Sequence, residues 1–319
     1  MAYAQAKLID AELIPVIDIT PLRNGSDPVG VAKALHVASQ NLGFIYVKGH
    51  GVLESIIKVA REEALRFFRS SESHKASVKV SPNHRGWLGR DGAIMQNDGK
   101  ADLKESFIWG YENVSGAAPD DHPLRGPNLW PAHMPQMQKI AMEYFYEVHA
   151  VAHHLMRGFA LGLELHEEFF LRSAAAPLSR ASYVYYPQQP EDMGDDQFGV
   201  GPHTDFGVLT VLCQDAVGGL QVEDLNGDWV HAPPIEGTLI VNVGDLLSRW
   251  TDGAYRSTTH RVVNSSGKER LSMVLAFDPE PDTLIDAKEV FGNDYRPAET
   301  AISCGDYLNW RFEKAFSYR

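Results

Sequence analysis

The sequence predicts an α+β protein with a helical N-terminal region, an all-β core and a helical tail. Two observations carry that prediction. In the first half, apolar residues recur at helical spacing, as in Leu53, Ile56, Ile57, Ala60, Ala64 and Phe68. After Pro177 short β-rich runs follow one another, at 180–186, 207–213, 219–223, 229–231, 238–243, 256–263 and 270–277, divided by Gly, Pro, Asn and Asp. Many short strands with turn residues between them build a sandwich or a barrel.

The elements follow in order. Pro15 to Ile19 reads as a short strand. Asp27 followed by Pro28 is an N-cap and a first helical residue, opening a helix to about Gln40. Phe44 to Val47 reads as a buried strand closed by Gly49-His50-Gly51, and a helix covers 53–68. Residues 71–132 are rich in Gly, Pro, Asn and Asp and read as loops. Pro135 to Leu163 is a long helical pattern, with a further helical stretch at 166–173. Ser303 to Ala315 is helical again. The expected division is an N-terminal region 1–176, a β core 177–282 and a tail 283–319.

Composition limits the function. The chain has 319 residues, with 44% apolar and 22% charged, which excludes disorder, collagen and coiled coil. The longest apolar run, Val208 to Cys213, is far too short for a membrane helix. Lys7, Asp10 and Glu12 precede any long apolar run, so no signal peptide is expected. Subtracting 29 basic from 42 acidic residues gives −13, which argues against a nucleic-acid partner. Cys213 and Cys304 allow one disulfide at most, and a reducing cytoplasm is the default expectation.

The chemistry centres on His203-Thr204-Asp205. Alternate strand residues share a face, so His203 and Asp205 can meet one metal ion. His260 lies on a later strand. Two imidazoles and one carboxylate leave three octahedral positions open, the arrangement of non-haem Fe(II) oxygenases. Arg270-Leu271-Ser272 places a guanidinium and a hydroxyl on one strand face, a receptor for a carboxylate. If 256–263 and 270–277 pair as a hairpin, Arg270 lies one small molecule's length from the metal. A dicarboxylate then reaches from iron to Arg270.

This pattern resembles the isopenicillin N synthase-like family of Fe(II)- and 2-oxoglutarate-dependent dioxygenases. The likeness runs through most of the chain: Pro15-Val16-Ile17-Asp18, Gly43 to Gly51, Lys104-Glu105-Ser106-Phe107, Gly218-Gly219-Leu220-Gln221-Val222 and Asn242-Val243-Gly244-Asp245. The resemblance implies a double-stranded β-helix, or distorted jelly roll, with flanking helices. It implies His203, Asp205 and His260 as iron ligands. It implies Arg270 and Ser272 on the distal carboxylate of 2-oxoglutarate, with Tyr186 in support. One departure is Val184, where plant-type members often have Asn. The implied reaction consumes O2, turns 2-oxoglutarate into succinate and CO2, and oxidises a small-molecule substrate by hydroxylation, desaturation or ring closure.

Two other functions compete. One is an oxidase that needs no 2-oxoglutarate, of the isopenicillin N synthase or ethylene-forming type, in which Arg270 and Ser272 grip the substrate's own carboxylate. That synthase has a glutamine near its C-terminus, whereas this chain ends Phe316-Ser317-Tyr318-Arg319 with no Gln after Gln221. The other is a catalytically idle jelly-roll binding protein. His149 and His153 have ligand spacing but lack the intervening Glu of a zinc helix, and read as structural. Cys213 reads as a small buried residue. His84-Arg85-Gly86-Trp87 lies in the region that covers such sites, with Arg85 and Trp87 either on the substrate or packed.

Overall fold

The computed structural model describes residues 14–90, 92, 102–112, 122–188, 198–264 and 266–316. The N-terminal region contains β1 (Val16–Asp18), α1 (Thr20–Asn24), α2 (Pro28–Asn41), β2 (Phe44–Lys48), α3 (Glu54–Phe68), α4 (Glu72–Ala76), β3 (Gly86–Leu88), β4 (Glu105–Gly110) and α5 (Met137–Gly162). A single 3-10 turn at Phe169–Leu171 replaces the helix expected at 166–173. The core follows with β5 (Arg180–Tyr186), β6 (Val200–His203), β7 (Leu209–Cys213), β8 (Leu220–Glu223), β9 (Trp229–His231), β10 (Leu239–Val243), α6 (Asp245–Trp250), β11 (His260–Val262) and β12 (Arg270–Phe277). The tail holds β13 (Leu284–Ile285), α7 (Ala287–Phe291), β14 (Ile302–Ser303) and α8 (Cys304–Ala315). No described helix is long and apolar enough to cross a membrane.

Local signals explain most boundaries. The Asp27 side chain accepts the Gly30 N–H at 2.8 Å, capping α2. The Ser303 hydroxyl accepts the Asp306 N–H at 3.1 Å, so α8 starts where its cap predicts. Gly43 turns from α2 into β2 at φ 69°, and a Cβ there would lie 2.1 Å from the Arg256 carbonyl oxygen.

Two sheets face each other. The large one runs β1-β2-β10-β7-β12-β5-β4-β3 and the small one β6-β11-β8-β9. β1 pairs with β2 in parallel, and all other strand pairs are antiparallel. Tyr46, Val184 and Ile240 of the large sheet pack with Val200, Leu220, Val222 and Val262 of the small one. That is the two-sheet packing of a jelly roll. The other face of the large sheet is covered by helices. Leu271, Met273, Leu275 and Phe277 join Tyr144, Val148, Val151 and Leu155 of α5 in the larger core. With both faces covered, β12 reads as a nearly continuous buried run.

Two expectations are corrected here. The loop-rich reading of 71–132 misses β3 and β4, and every residue of β4 is buried. The polar start of β4 hides the strand. Glu105 is held by Lys75 at 2.8 Å and by the Trp87 indole N–H at 2.9 Å, so its charge is matched inside. The hairpin of 256–263 with 270–277 does not form. β11 pairs with β6 and β8, whereas β12 pairs with β5 and β7. Successive strands β11 and β12 therefore belong to different sheets. β12 needs apolar cover on both faces, which the centre of the large sheet supplies.

His149 and His153 are packed against Phe277 of β12, and His149 also stacks on Phe145. Cys213 and Cys304 are buried and free. Burial, reinforced by His153 alongside, lowers the His149 pKa from 6.5 to about 3. The ring is neutral in the fold, while the unfolded chain takes up a proton near 6.5. A depressed histidine pKa therefore costs stability as the pH falls from about 6.5 towards 3, and costs none above that window. His149→Gln is expected to flatten the pH dependence of the urea midpoint across this window. Parallel urea titrations of both proteins at about pH 7 and about pH 4.5 check this.

Candidate active site

The site forms where the two sheets meet. His203 closes β6, and Asp205 lies just beyond the strand. His260 opens β11 and is the register partner of His203. Pairing of β6 with β11 therefore brings the two imidazoles together, with ring centroids 4.3 Å apart. The Asp205 Oδ1 atom lies 3.8 Å from Nε2 of each histidine. One ligand atom from each of the three residues falls within 4.8 Å of the others, and among the described residues no other such group of three exists.

The backbone orients both rings. His203 Nδ1 lies 2.8 Å from the Gly201 carbonyl oxygen, and His260 Nδ1 lies 3.1 Å from that of Thr258. A carbonyl can only accept, so each Nδ1 carries the hydrogen and each Nε2 presents its lone pair to the centre. The Asp205 Oδ2 atom accepts the Asn242 side-chain amide at 2.8 Å, which turns Oδ1 inward. Burial pushes the His203 pKa below its ordinary value, with His260 adding to the effect. Burial would raise the Asp205 carboxyl, but His260, His203 and the Asn242 hydrogen bond outweigh it and hold it low. A neutral imidazole and an ionised carboxylate are the protonation states a divalent metal requires.

The second group lies across the interior on β12. Alternation sends Arg270, Ser272, Val274 and Ala276 towards the small sheet and their neighbours towards α5. Arg270 is 1% exposed, and its Nε–H donates to the Gly218 carbonyl. Its guanidinium lies 4.6 Å from the Tyr186 ring centroid, and Tyr186 is its register partner on β5. Arg270 Nη1 and Ser272 Oγ are buried without a hydrogen-bond partner. Buried polar atoms are nearly always satisfied, and an unmatched buried cation is costly. Two adjacent unmatched donors on one strand face fit a carboxylate. Val184, opposite Ser272, makes the neighbouring wall apolar. Packing of the two sheets against each other, rather than a hairpin, relates β12 to the strand that carries His260.

The same face continues into a chamber of about 120 Å³, lined by Lys104, Ser106, Arg180, Ser182, Val184, Val274 and Ala276 of the sheet region and by His84, Leu88 and Phe316. Arg180 is paired with Asp278 at 2.8 Å and Lys104 with Asp102 at 3.2 Å. Arg85 and Trp87 are packed instead: Arg85 Nη2 donates to the Leu124 carbonyl, and the Trp87 indole to Glu105. His84 is the residue of that segment on the chamber, and its ring stacks on Phe312. Sequence spacing does not single out His84, because its position depends on the C-terminal helix closing over it. Ser317, Tyr318 and Arg319 lie outside the described residues.

The chain is similar to known proteins along most of its length. Residues 176–279 match the 2OG-Fe(II) oxygenase superfamily, and residues 14–133 match the family described as non-haem dioxygenase in morphine synthesis N-terminal. A homoarginine-6-hydroxylase of Glycine max is 36% identical over 296 residues, spanning 87% of this chain and 88% of that protein. A 2-oxoglutarate-Fe(II) type oxidoreductase of Emericella nidulans is 33% identical over 285 residues, spanning 84% of this chain and 80% of that one. The crystal structure of a full-length Neurospora crassa protein in complex with alpha-KG superposes with a TM-score of 0.86 at 26% identity, over 98% of this chain and all of that one. The same protein with alpha-KG and thymine gives a TM-score of 0.85 at 27% identity, over 97% of this chain and 99% of that one. The chain belongs to the 2OG-Fe(II) oxygenase superfamily and is a non-haem dioxygenase that uses Fe(II), O2 and 2-oxoglutarate.

Proposed function

We propose that His203, Asp205 and His260 hold the Fe(II), and that Arg270 and Ser272 bind the distal carboxylate of 2-oxoglutarate above the Tyr186 ring. The observation that carries this reading is the pair of unmatched buried donors, Arg270 Nη1 and Ser272 Oγ, on the face that looks into the metal centre's sheet. When bound there, Fe(II) would supply the redox chemistry that joins decarboxylation of 2-oxoglutarate to oxidation of the substrate. The residues do the rest. Asp205 Oδ1 and the two Nε2 atoms would hold the metal. Arg270 fixes the length and direction of the dicarboxylate. Leu220, Val262 and Val184 exclude water along its path.

The substrate is a small molecule, and its place is the chamber beside Val184. A volume of about 120 Å³ suits a compact compound. Relatives of known structure hold compounds of that scale, as the Neurospora crassa protein does with thymine. The three regions 1–176, 177–282 and 283–319 then divide the work. The first supplies the far wall of the chamber, the second the iron and 2-oxoglutarate sites, and the third the cover.

Anaerobic titration of the Fe(II)-loaded protein with 2-oxoglutarate tests this reading. A saturable charge-transfer band in the visible is expected. Arg270→Ala is expected to weaken 2-oxoglutarate binding by about 2–5 kcal/mol, the usual loss when one partner of a buried charge pair is removed. Iron bound at the triad with no band would instead favour the oxidase, whose own substrate carboxylate occupies the Arg270 site. Asn242→Leu frees Asp205 to rotate. It is expected to weaken Fe(II) binding by roughly 10- to 100-fold without moving the 2-oxoglutarate affinity of protein saturated with iron. Competition with a colorimetric chelator measures the first effect, and the visible titration the second.

A further inference from the structure

The loop that bears Asp205 is tied to the C-terminal helix through one carboxylate. Asp245 is the first residue of α6, separated by one residue from the β10 strand that carries Asn242. Its side chain accepts hydrogen bonds from Arg311 Nη1 at 2.7 Å and the Tyr307 hydroxyl at 3.1 Å, both on α8. It also accepts from Ser257 Oγ at 2.7 Å and Thr204 Oγ1 at 3.2 Å. Thr204 sits between His203 and Asp205. Ser257 lies on the approach to β11, next to Thr258, whose carbonyl orients His260. The Asp245 backbone N–H donates to the Asp205 carbonyl at 2.8 Å.

A second set of contacts holds the other side of the same segment. The Arg311 guanidinium covers the Phe206 ring at 4.1 Å, and Phe312 packs on that ring at 5.9 Å. The turn beneath is closely packed, since a Cβ at Gly244 would lie 2.1 Å from the Gly207 carbonyl oxygen. Residues 204–206 are therefore held through the Thr204 hydroxyl and the Asp205 carbonyl, both on Asp245, and through the Phe206 ring, directly on Arg311. None of the gripping side chains belongs to the His203, Asp205 and His260 group.

We propose that Asp245 and Arg311 are positioning residues for the iron, so that seating α8 sets the placement of the Asp205 carboxylate. The inference rests on the reading of His203, Asp205 and His260 as the ligands. The partly buried pair of opposite charges makes the link stiff: Asp245 collects four donors, and losing Arg311 removes both its cationic partner and the cover over Phe206. A chain without that link keeps its sheets but lets the 204–206 segment move relative to β11.

The test is anaerobic release of Fe(II) from the full-length loaded protein to excess chelator, with thermal melting of the metal-free protein measured alongside. Arg311→Met is expected to release iron roughly 10- to 100-fold faster, the range seen when groups behind a metal ligand are removed. Arg311→Lys is expected to restore part of that retention. Arg311→Met releasing iron at the wild-type rate, whatever its melting temperature, would overturn the inference. Should Arg311→Met fail to fold, Tyr307→Phe and Thr204→Val report on the same carboxylate. Accelerated release from both supports the link, and wild-type release from both rejects it. Asp205→Ala separates the two levels. Iron lost from Asp205→Ala but retained by Arg311→Met overturns only the positioning role. Iron retained by Asp205→Ala removes the ligand reading, and the inference falls with it.

Discussion

Pleating of β12 is the constraint on which the site depends. Successive side chains of a strand point to opposite faces, so one eight-residue element must serve two environments at once. Its odd-numbered residues anchor the large sheet to α5. Its even-numbered residues face the other sheet and include Arg270 and Ser272. A slip of one residue in register would exchange the two sets and place a guanidinium against Tyr144 and Leu155. The apolar packing of Leu271, Met273, Leu275 and Phe277 thus fixes where the carboxylate receptor stands. Stability and ligand recognition are carried by alternate residues of the same strand.

The metal centre depends on a different kind of support. Its three candidate ligands come from two strands of the smaller sheet and the loop after one of them. That sheet has four strands, against eight in the large one. Orientation comes instead from directed hydrogen bonds: two backbone carbonyls to the imidazoles and one amide to the carboxylate. Such bonds fix direction more sharply than apolar contacts do. Asn242 belongs to the large sheet, so its contact with Asp205 also ties the two sheets together at the reacting centre.

Much of this was legible in the sequence. Alternation within Arg270-x-Ser272 predicts a shared face, and β12 keeps it, whereas His203 and Asp205 come together although β6 ends at His203. The run 270–277 is legible because a strand covered on both faces is apolar almost throughout. Element β4 is less legible, because Glu105 and Ser106 look like loop residues until Lys75 and Trp87 are brought to them. The relation of β11 to β12 is not legible at all. A seven-residue connection can form a hairpin or cross between sheets, and only the packing of the whole core decides. Likewise no local pattern shows that His84 and Phe316, far apart along the chain, share a wall.

That shared wall separates what the enzyme does from what it does it to. The groups proposed for iron and 2-oxoglutarate stand on β6, the loop after it, β11 and β12. The chamber's outer lining comes from the edge strand β3, the turn before it and the residue that follows α8. These are places where side chains can change without shifting the register of the central strands. Variation at His84, Leu88 or Phe316 would redraw the cavity's outline while the oxidising machinery stayed intact. A scaffold divided in this way can change its substrate by small steps, each compatible with a working enzyme.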